Sequence, residues 1–349
     1  MNPSDAPRIL IARMSAIGDT ILTLPVACAL RAHFAHAYLA WVVEAKSTAM
    51  VLGHACLDEV LVLQRGWFTK PSRLFATRRL LRAKHFDITI DCQGMTKSAL
   101  ACRLSGAPQR IGIRGEHGRE LSPWLNNQLI ETRRPHVVDR SLELLAPLGI
   151  EQPKVEWKLP VDDASRDRMR QALLRLGFVG PYAVINPGAT WDSRRWEMDR
   201  FGQVARYLRE QHGLPTLVVW GGGRERGWAE QIVAESGGYA VLAPPSTLIE
   251  LAALIEGGCL FLSADTGPLH MAVAVGTPSI GLCGTTRAEV SGPYGPPHQA
   301  IQVQYQAGSH RERRNADNAA MRMITVEMVC QRCDALLRRA ESEERRAAG

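Results

Sequence analysis

The chain has 349 residues, 46% hydrophobic and 22% charged; that length is more than one hydrophobic core usually serves, and the composition is that of an ordinary globular protein, neither fibrous nor disordered. A formal net charge of +7 predicts anionic partners, whether nucleic acid, acidic lipid surface or phosphorylated small molecules. Several of the eight cysteines sit in apolar runs, and Cys330-Gln331-Arg332-Cys333 has no second Cys/His pair nearby, which argues against a zinc site.

At the amino end, Pro3, Asp5 and Pro7 precede the first apolar stretch, so no secretory leader is expected. Strands are predicted at 8–13, 38–43, 60–63, 87–91 and 110–113. A helix over 20–34 separates the first two, with Pro25 expected near its first turn, where a proline does least harm. Arg73, Arg78, Arg79, Arg82 and Lys84 share a helical stretch with Leu74, Phe75, Leu80 and Leu81. Such a face suits anionic lipid headgroups, and it suits an ordinary packing helix equally well.

Pro153, Pro160 and Pro181 punctuate polar sequence and mark a join between two units. The second half repeats the scheme, with strands predicted at 182–186, 216–220, 239–242, 260–263 and 279–282. A helix over 199–212 is closed by Gly213, and Thr247-Leu248-Ile249-Glu250 is a capping box opening another that stops at Gly257-Gly258. The longest apolar stretch, 268–283, is interrupted by His270, Gly276 and Pro278. It falls short of the roughly 18 to 20 residues that span a bilayer, so a cytoplasmic protein is expected. A helix is predicted over 326–340, followed by a charged tail at 341–346 expected to be solvated. The resulting division is 1–160, 161–325 and a terminal helix with its tail, 326–349.

Strands alternating with helices predict an α/β protein of two Rossmann-like parallel sheets, with ligands at the carboxyl ends of the strands in a cleft between the two units. Four loops in those positions carry chemistry. In Met14-Ser15-Ala16-Ile17-Gly18-Asp19-Thr20, Gly18 allows a tight turn and Asp19 stands where a helix begins. Asp19 reads either as an N-cap or as a general base; the local sequence leans to the cap. In Asp91-Cys92-Gln93-Gly94-Met95-Thr96-Lys97-Ser98, Lys97 and the first amides of a helix suit an anion, with Arg110 and Arg114 flanking the next strand. Asn186-Pro187-Gly188-Ala189-Thr190 leads into Arg194 and Arg195, which suit a pyrophosphate as well as an exposed surface. Ser263-Ala264-Asp265-Thr266-Gly267-Pro268-Leu269-His270 follows a buried strand and opens a helix. Thr266 and Gly267 suit an anion there, Asp265 a sugar hydroxyl, and His270 a ligand contact.

Gly221-Gly222-Gly223-Arg224-Glu225-Arg226-Gly227 misses the dinucleotide fingerprint because its last glycine comes one place late. The sequence has no GxxxxGK[ST], HExxH or GxSxG motif, and no acidic pair suited to a cation. It also lacks interleaved aromatic and basic residues for nucleic acid, which is not an expected partner.

Taken together, the four loops resemble glycosyltransferase family 9, the ADP-heptose:lipopolysaccharide heptosyltransferases, over roughly residues 8–329. Ala264-Asp265-Thr266-Gly267-Pro268-Leu269-His270 is the strongest element of the likeness. The resemblance implies a GT-B fold whose last helix returns to the first domain. It implies an inverting, metal-independent transfer of L-glycero-D-manno-heptose from ADP-heptose, without a cofactor, to a lipid-linked Kdo or heptose acceptor. Asp19 then becomes the catalytic base. Ala189, Thr190, Arg194, Arg195, Glu225, Asp265, Thr266, Gly267 and His270 become donor-side residues, with Glu225 toward the nucleoside. Ser15, Gly18, Gln93, Lys97, Arg110 and Arg140 become acceptor-side residues, Arg140 through the family-like segment His136-Val137-Val138-Asp139-Arg140.

Arg194 departs from the lysine that family members commonly carry two places before the tryptophan, here Trp196. The acceptor implies peripheral contact with the inner face of the inner membrane. Two alternatives stand beside this reading: a GT-B transferase using another nucleotide sugar, and a non-catalytic sugar-nucleotide-binding module.

Overall fold

The structure, a computed structural model, describes residues 6–348. Pro3 and Asp5 lie outside the described residues, as do the side chains of the tail from 341 to 346 other than Ser342. Two compact units meet in the sequence between Pro160 and Val161. Each is built on a six-stranded parallel sheet.

The first sheet comprises β1 (Arg8–Ala12), β2 (Tyr38–Glu44), β3 (Glu59–Leu63), β4 (Ile88–Asp91), β5 (Gln109–Ile113) and β6 (Gln128–Ile130). Their order is β3-β2-β1-β4-β5-β6. The central strands are buried almost throughout, so β1 and β2 read as continuous apolar runs, as strands covered on both faces do. Ala12 lies beside Val42 and Asp91 in the register, so the loops leaving β1 and β4 emerge side by side. The chain winds away in opposite directions from β1 and β4, which makes their carboxyl ends the switch point where a doubly wound sheet opens a crevice.

Helix α1 (Ile17–His33) follows β1 and begins three residues before the expected start. Gly18 and Asp19 therefore lie inside its first turn, rather than in a tight turn and at the N-cap. Pro25 is deep in the helix, not near its start, and has no N–H for the carbonyl of Ile21. Its turn is nonetheless held, because residues 20–30 are all buried. Helix α2 (Pro71–Arg82) and helix α3 (Thr96–Ser105) pack against each other, α2 through Thr77 and Leu81.

The second sheet comprises β7 (Ala183–Asn186), β8 (Thr216–Val218), β9 (Ala240–Leu242), β10 (Leu260–Ala264), β11 (Ser279–Leu282) and β12 (Gln299–Ile301). Its order, β12-β11-β10-β7-β8-β9, again reverses at a central pair, β10 and β7. Ser263 stands opposite Asn186 there, so two of the four chemistry-bearing loops leave neighbouring strands. The edge strands β6 and β12 escaped sequence reading because each has three residues and a glutamine first, too little apolar pattern to register.

The terminal helix Val326–Ala348 packs on the helix Met198–His212 and is counted with the second unit. Asp334 accepts from Tyr207 Oη at 3.0 Å and lies 2.8 Å from His212 Nε2. Cys330 and Cys333 belong to this unit's core with Val329 and Leu336, so their spacing is the inward face of a helix. Burial pushes the Cys330 thiol up to about 12. Among the described residues no helix is long and apolar enough to cross a membrane.

Candidate functional site

In the first unit the loop after β1 is organised by Arg13, a cation at the end of an apolar strand. Its buried guanidinium donates through Nη1 to the carbonyl of Cys92 at 2.5 Å, and Nη2 meets Asp19 Oδ1 at 2.7 Å. The other carboxylate oxygen of Asp19 accepts from the amide of Ala16 at 3.2 Å. Ala16 is the N-cap and has no side chain to cap with, so Asp19 closes the helix start from inside, in the manner of the acidic half of a capping box. With 43% of its side chain exposed, Asp19 keeps a face open to a reactant.

Lys97, in the first turn of α3, donates to Ser15 Oγ at 2.7 Å and to Glu44 Oε1 at 3.0 Å. These three residues line a cavity of about 520 Å³, together with Lys46, Arg65 and Phe68. The β4 loop is pinned from below. Asp91, fully buried, accepts from Ser122, Asn126 and the amides of Gln93 and Gly94. Burial raises its pKa, against the pull of those hydrogen bonds. Gln93 in turn accepts from the amide of Met14 at 2.9 Å and stitches the β1 and β4 loops together.

Arg140 lies in the helix Val137–Glu143, whose first turn is capped by His136. Its Nη1 stands 2.7 Å from His117 Nε2, an arrangement that needs a neutral imidazole as acceptor. Burial, and then the charge of Arg140, lower the pKa of His117 accordingly. Burial, and then the charges of Arg13 and Arg119, likewise lower that of Arg140. Three guanidiniums thus act on one region of this unit and give it a positive potential suited to an anionic ligand.

In the second unit the loops after β7 and β10 are tied together by Asn186. Its amide donates to Ser263 Oγ at 2.9 Å and to Thr266 Oγ1 at 3.1 Å, while its carbonyl accepts from the amide of Gly188 at 3.3 Å. Asp265 is 5% exposed and is held by His270 Nε2 at 3.3 Å, with Arg194 Nη1 at 3.7 Å from its carboxylate and 3.3 Å from its carbonyl. Burial would raise the pKa of Asp265; the hydrogen bond and charge of His270, with the charge of Arg194, outweigh it and hold the carboxyl below its ordinary range. Arg194 also lies over the ring of Trp191 at 4.2 Å, which fixes the plane of its guanidinium.

Thr266 caps the helix Gly267–Ala274, in which Pro268 has no N–H and Leu269 donates to the carbonyl of Thr266. The anion capacity of this turn therefore rests on Thr266 and Gly267, fewer donors than a helix start ordinarily presents. Glu225 sits in the first turn of the helix Gly222–Glu235 and accepts from the amide of Gly221 at 2.8 Å. Burial raises its pKa, partly offset by that bond. A Cβ on Gly188 would stand 3.0 Å from Glu225 Oε1, so the β7 turn and Glu225 are neighbours. Ala189 is half-buried beside them and Thr190 is exposed.

The structure thus brings Asp19, Ser15, Gly18, Gln93 and Lys97 to the switch point of the first sheet. In the second unit it brings together Arg194, Asp265, Thr266, Gly267 and His270, with Ala189, Thr190 and Glu225 on the adjoining loops. Arg195 turns aside, over the ring of Trp228 at 5.2 Å and 3.5 Å from Asp192. Arg110 does not join the acceptor-side cluster. It is the second residue of β5, near the amino end of the sheet, and its guanidinium donates to the carbonyls of Ala107 and Leu125. Sequence reading gave no role to Arg13, Glu44, His117 or Trp191. Arg13 had a signal, as a cation directly following an apolar strand; His117 had none. Among the described residues no group of three His, Cys, Asp or Glu side chains is arranged to hold a metal ion.

Comparison with known proteins places this geometry. Residues 74–320 match the sequence model of glycosyltransferase family 9 (heptosyltransferase). The chain is 27% identical over 333 residues to lipopolysaccharide heptosyltransferase 1 of Escherichia coli O18:K1:H7, covering 90% of this chain and 99% of that protein. It superposes on a glycosyl transferase family 9 structure from Veillonella parvula with a TM-score of 0.80 and 20% identity, covering 97% and 98% of the two chains. Against E. coli heptosyltransferase WaaC with ADP-2-deoxy-2-fluoro heptose the TM-score is 0.74 and the identity 24%, covering 94% and 99%. The fold expected from the resemblance, GT-B, is the fold of these neighbours.

Proposed function

The chain belongs to glycosyltransferase family 9, the heptosyltransferases, and we propose that it moves L-glycero-D-manno-heptose from ADP-heptose to a lipopolysaccharide inner-core acceptor, Kdo-lipid A or heptosyl-Kdo-lipid A. The transfer inverts the anomeric centre and uses neither a metal ion nor a cofactor. The observation that carries this reading is the grip on Asp265: a buried carboxylate held ionised by His270 and Arg194, beside the Thr266–Gly267 helix start. A fixed carboxylate suits sugar hydroxyls, and a cation beside a helix start suits a diphosphate.

In an inverting transfer the acceptor oxygen bonds to the anomeric carbon as the bond from that carbon to the diphosphate oxygen breaks. Asp19 takes the acceptor hydroxyl proton, and ADP leaves with additional negative charge. Arg13 keeps one oxygen of Asp19 engaged and so presents the other side of the carboxylate in a fixed orientation. Arg194 and the Thr266–Gly267 turn meet the charge of the departing diphosphate, the kind of preorganised stabilisation that dominates such reactions. Lys97 and Arg140 supply positive potential for the acceptor's carboxylates and phosphates. Glu225, near the Gly188 turn, receives the nucleoside. The enzyme acts in the cytoplasm, with peripheral contact at the inner face of the inner membrane.

The test is to incubate the protein with ADP-heptose and Kdo-lipid A, or its heptosylated form, and to follow ADP release and product mass. The expected result is acceptor-dependent ADP release and a product heavier by one heptose. Stabilisation by ADP without turnover on either acceptor would instead identify a sugar-nucleotide-binding module. Preference for UDP or GDP in thermal shift would point to another donor.

A further inference from the structure

Between Gln64 and Lys84 the chain contains Arg65, Lys70, Arg73, Arg78, Arg79, Arg82 and Lys84 and not one aspartate or glutamate. The stretch runs from a turn anchored by buried Trp67 into α2. Helix α2 buries Thr77 and Leu81. The opposite side carries Phe75, Arg79 and Arg82 at helical spacing i, i+4 and i+7, with Arg78 and Leu80 flanking. Phe75 is 65% exposed, and Phe68 and Leu80 are each 39% exposed. Lys84 pairs with Glu59, but among the described residues Arg73, Arg78, Arg79 and Arg82 have no carboxylate partner.

Large exposed apolar side chains set among unpaired cations on one short helix are poorly suited to open water. A phosphate backbone would satisfy the charges and leave Phe75, Phe68 and Leu80 wet. An anionic bilayer surface satisfies both, with rings and aliphatic chains at the headgroup boundary and guanidiniums among the phosphates.

We propose that α2 and the turn before it form a docking surface for an anionic lipid bilayer. Phe68 connects that surface to the cavity lined by Lys97, Lys46 and Arg65, since it lines the cavity and is itself exposed. Resting on the proposed reading as a transferase with a lipid-linked acceptor, the arrangement lets acyl chains stay in the membrane while the sugar headgroup enters the cavity.

The experiment uses the full chain, without donor or acceptor, and two kinds of vesicle: phosphatidylcholine alone and phosphatidylcholine mixed with phosphatidylglycerol. Co-sedimentation is expected with the mixed vesicles only, and is expected to weaken as salt is raised. Each arginine removed lowers the partition coefficient about fivefold, so a triple Arg78→Gln, Arg79→Gln, Arg82→Gln variant loses on the order of a hundredfold. Phe75→Ala is expected to lose less and to keep the salt dependence. Both variants should melt with the wild type and turn over an acyl-free acceptor at the wild-type rate, while slowing on acceptor embedded in mixed vesicles. Equal binding to both vesicles, or undiminished binding by the triple variant, overturns the proposal. Because vesicle binding is read without substrates, failure of the transferase reading would leave this result standing, and failure of docking would leave turnover on the acyl-free acceptor intact.

Discussion

Arg13 and Asp19 form a 2.7 Å ion pair across the turn between β1 and α1, with the arginine buried and the aspartate nearly half exposed. The asymmetry assigns the roles. A buried guanidinium anchored to the Cys92 carbonyl is a fixed support, and the carboxylate is the part that a reactant can reach.

Asp19→Asn should lower kcat by roughly 10² to 10⁴-fold, the range for loss of a positioned base, and leave ADP affinity unchanged. Arg13→Ala should also lower kcat, because it frees Asp19 to rotate and leaves the Cys92 carbonyl without its donor. Arg13→Lys should recover part of the loss, since a lysine keeps the charge and gives up the fork. Steady-state kinetics with ADP-heptose check both. Wild-type turnover in the Asp19→Asn protein would remove this residue from the mechanism.

Much of this site was legible before the fold was seen, and the reasons are physical. The loops at 14–20, 91–98, 186–196 and 263–270 follow runs apolar enough to be central strands, and parallel sheets gather the loops after such strands at one edge. What the sequence concealed was direction and depth. Arg110 is the first residue of a predicted strand, and only proximity in sequence joins it to the Lys97 loop; at the amino end of β5 the carbonyls of Ala107 and Leu125 take up its guanidinium. Asp19 read as a cap because a helix was expected at Thr20; in the structure the Thr20 amide donates to the Ala16 carbonyl at 2.9 Å and Asp19 accepts from the Ala16 amide, which starts the helix at Ile17 and makes the aspartate an interior residue of the first turn. His117 lies in a short turn with no periodicity, and only its contact with Arg140 marks it.

Gly188→Ala is a narrow probe of the nucleoside side. The added methyl would lie 3.0 Å from Glu225 Oε1 and 3.1 Å from Asn186 Oδ1, tighter than a side chain ordinarily accepts. The Glu225 carboxylate must then swing away from the β7 turn. ADP affinity by calorimetry should fall several-fold, on the order of 1 kcal/mol for a displaced hydrogen bond. The helix Gly222–Glu235 remains intact in this account, so the melting temperature should change little. A large fall in melting temperature with unchanged ADP affinity would contradict it.

Arg194 should dominate affinity for the diphosphate. Arg194→Ala removes a charged donor that also steadies Asp265, and ADP binding should weaken roughly tenfold to hundredfold, as for loss of a hydrogen bond to a charged group. Arg194→Lys should fall between, because the ammonium reproduces the charge but neither the fork nor the stack on Trp191. Trp191→Ala, which leaves Arg194 in place without its platform, should weaken ADP less than Arg194→Ala does. Titrations of ADP into the three variants rank them, and equal affinities across the set would exclude Arg194 from the donor site.

Acid sensitivity should trace to a histidine far along the chain from these loops. Burial lowers the pKa of His298 from 6.5 to about 4, against a backbone hydrogen bond to Thr277 that works the other way, and its Nδ1 is buried without a partner. Above pH 6.5 the imidazole is neutral in both folded and unfolded chains and sets no pH dependence. As pH falls from 6.5 toward 4 the unfolded chain takes up the proton first, so stability drops through that window and levels off below it. The drop integrates to roughly 3 kcal/mol for a shift of this size. His298→Gln cannot be protonated, so its unfolding free energy should vary less with pH across the same window, whatever its absolute value at neutrality. Urea unfolding at a series of pH values measures the two slopes. Parallel slopes would mean that the acid response arises elsewhere, with the buried His54 the next group to test, since burial lowers its pKa as well.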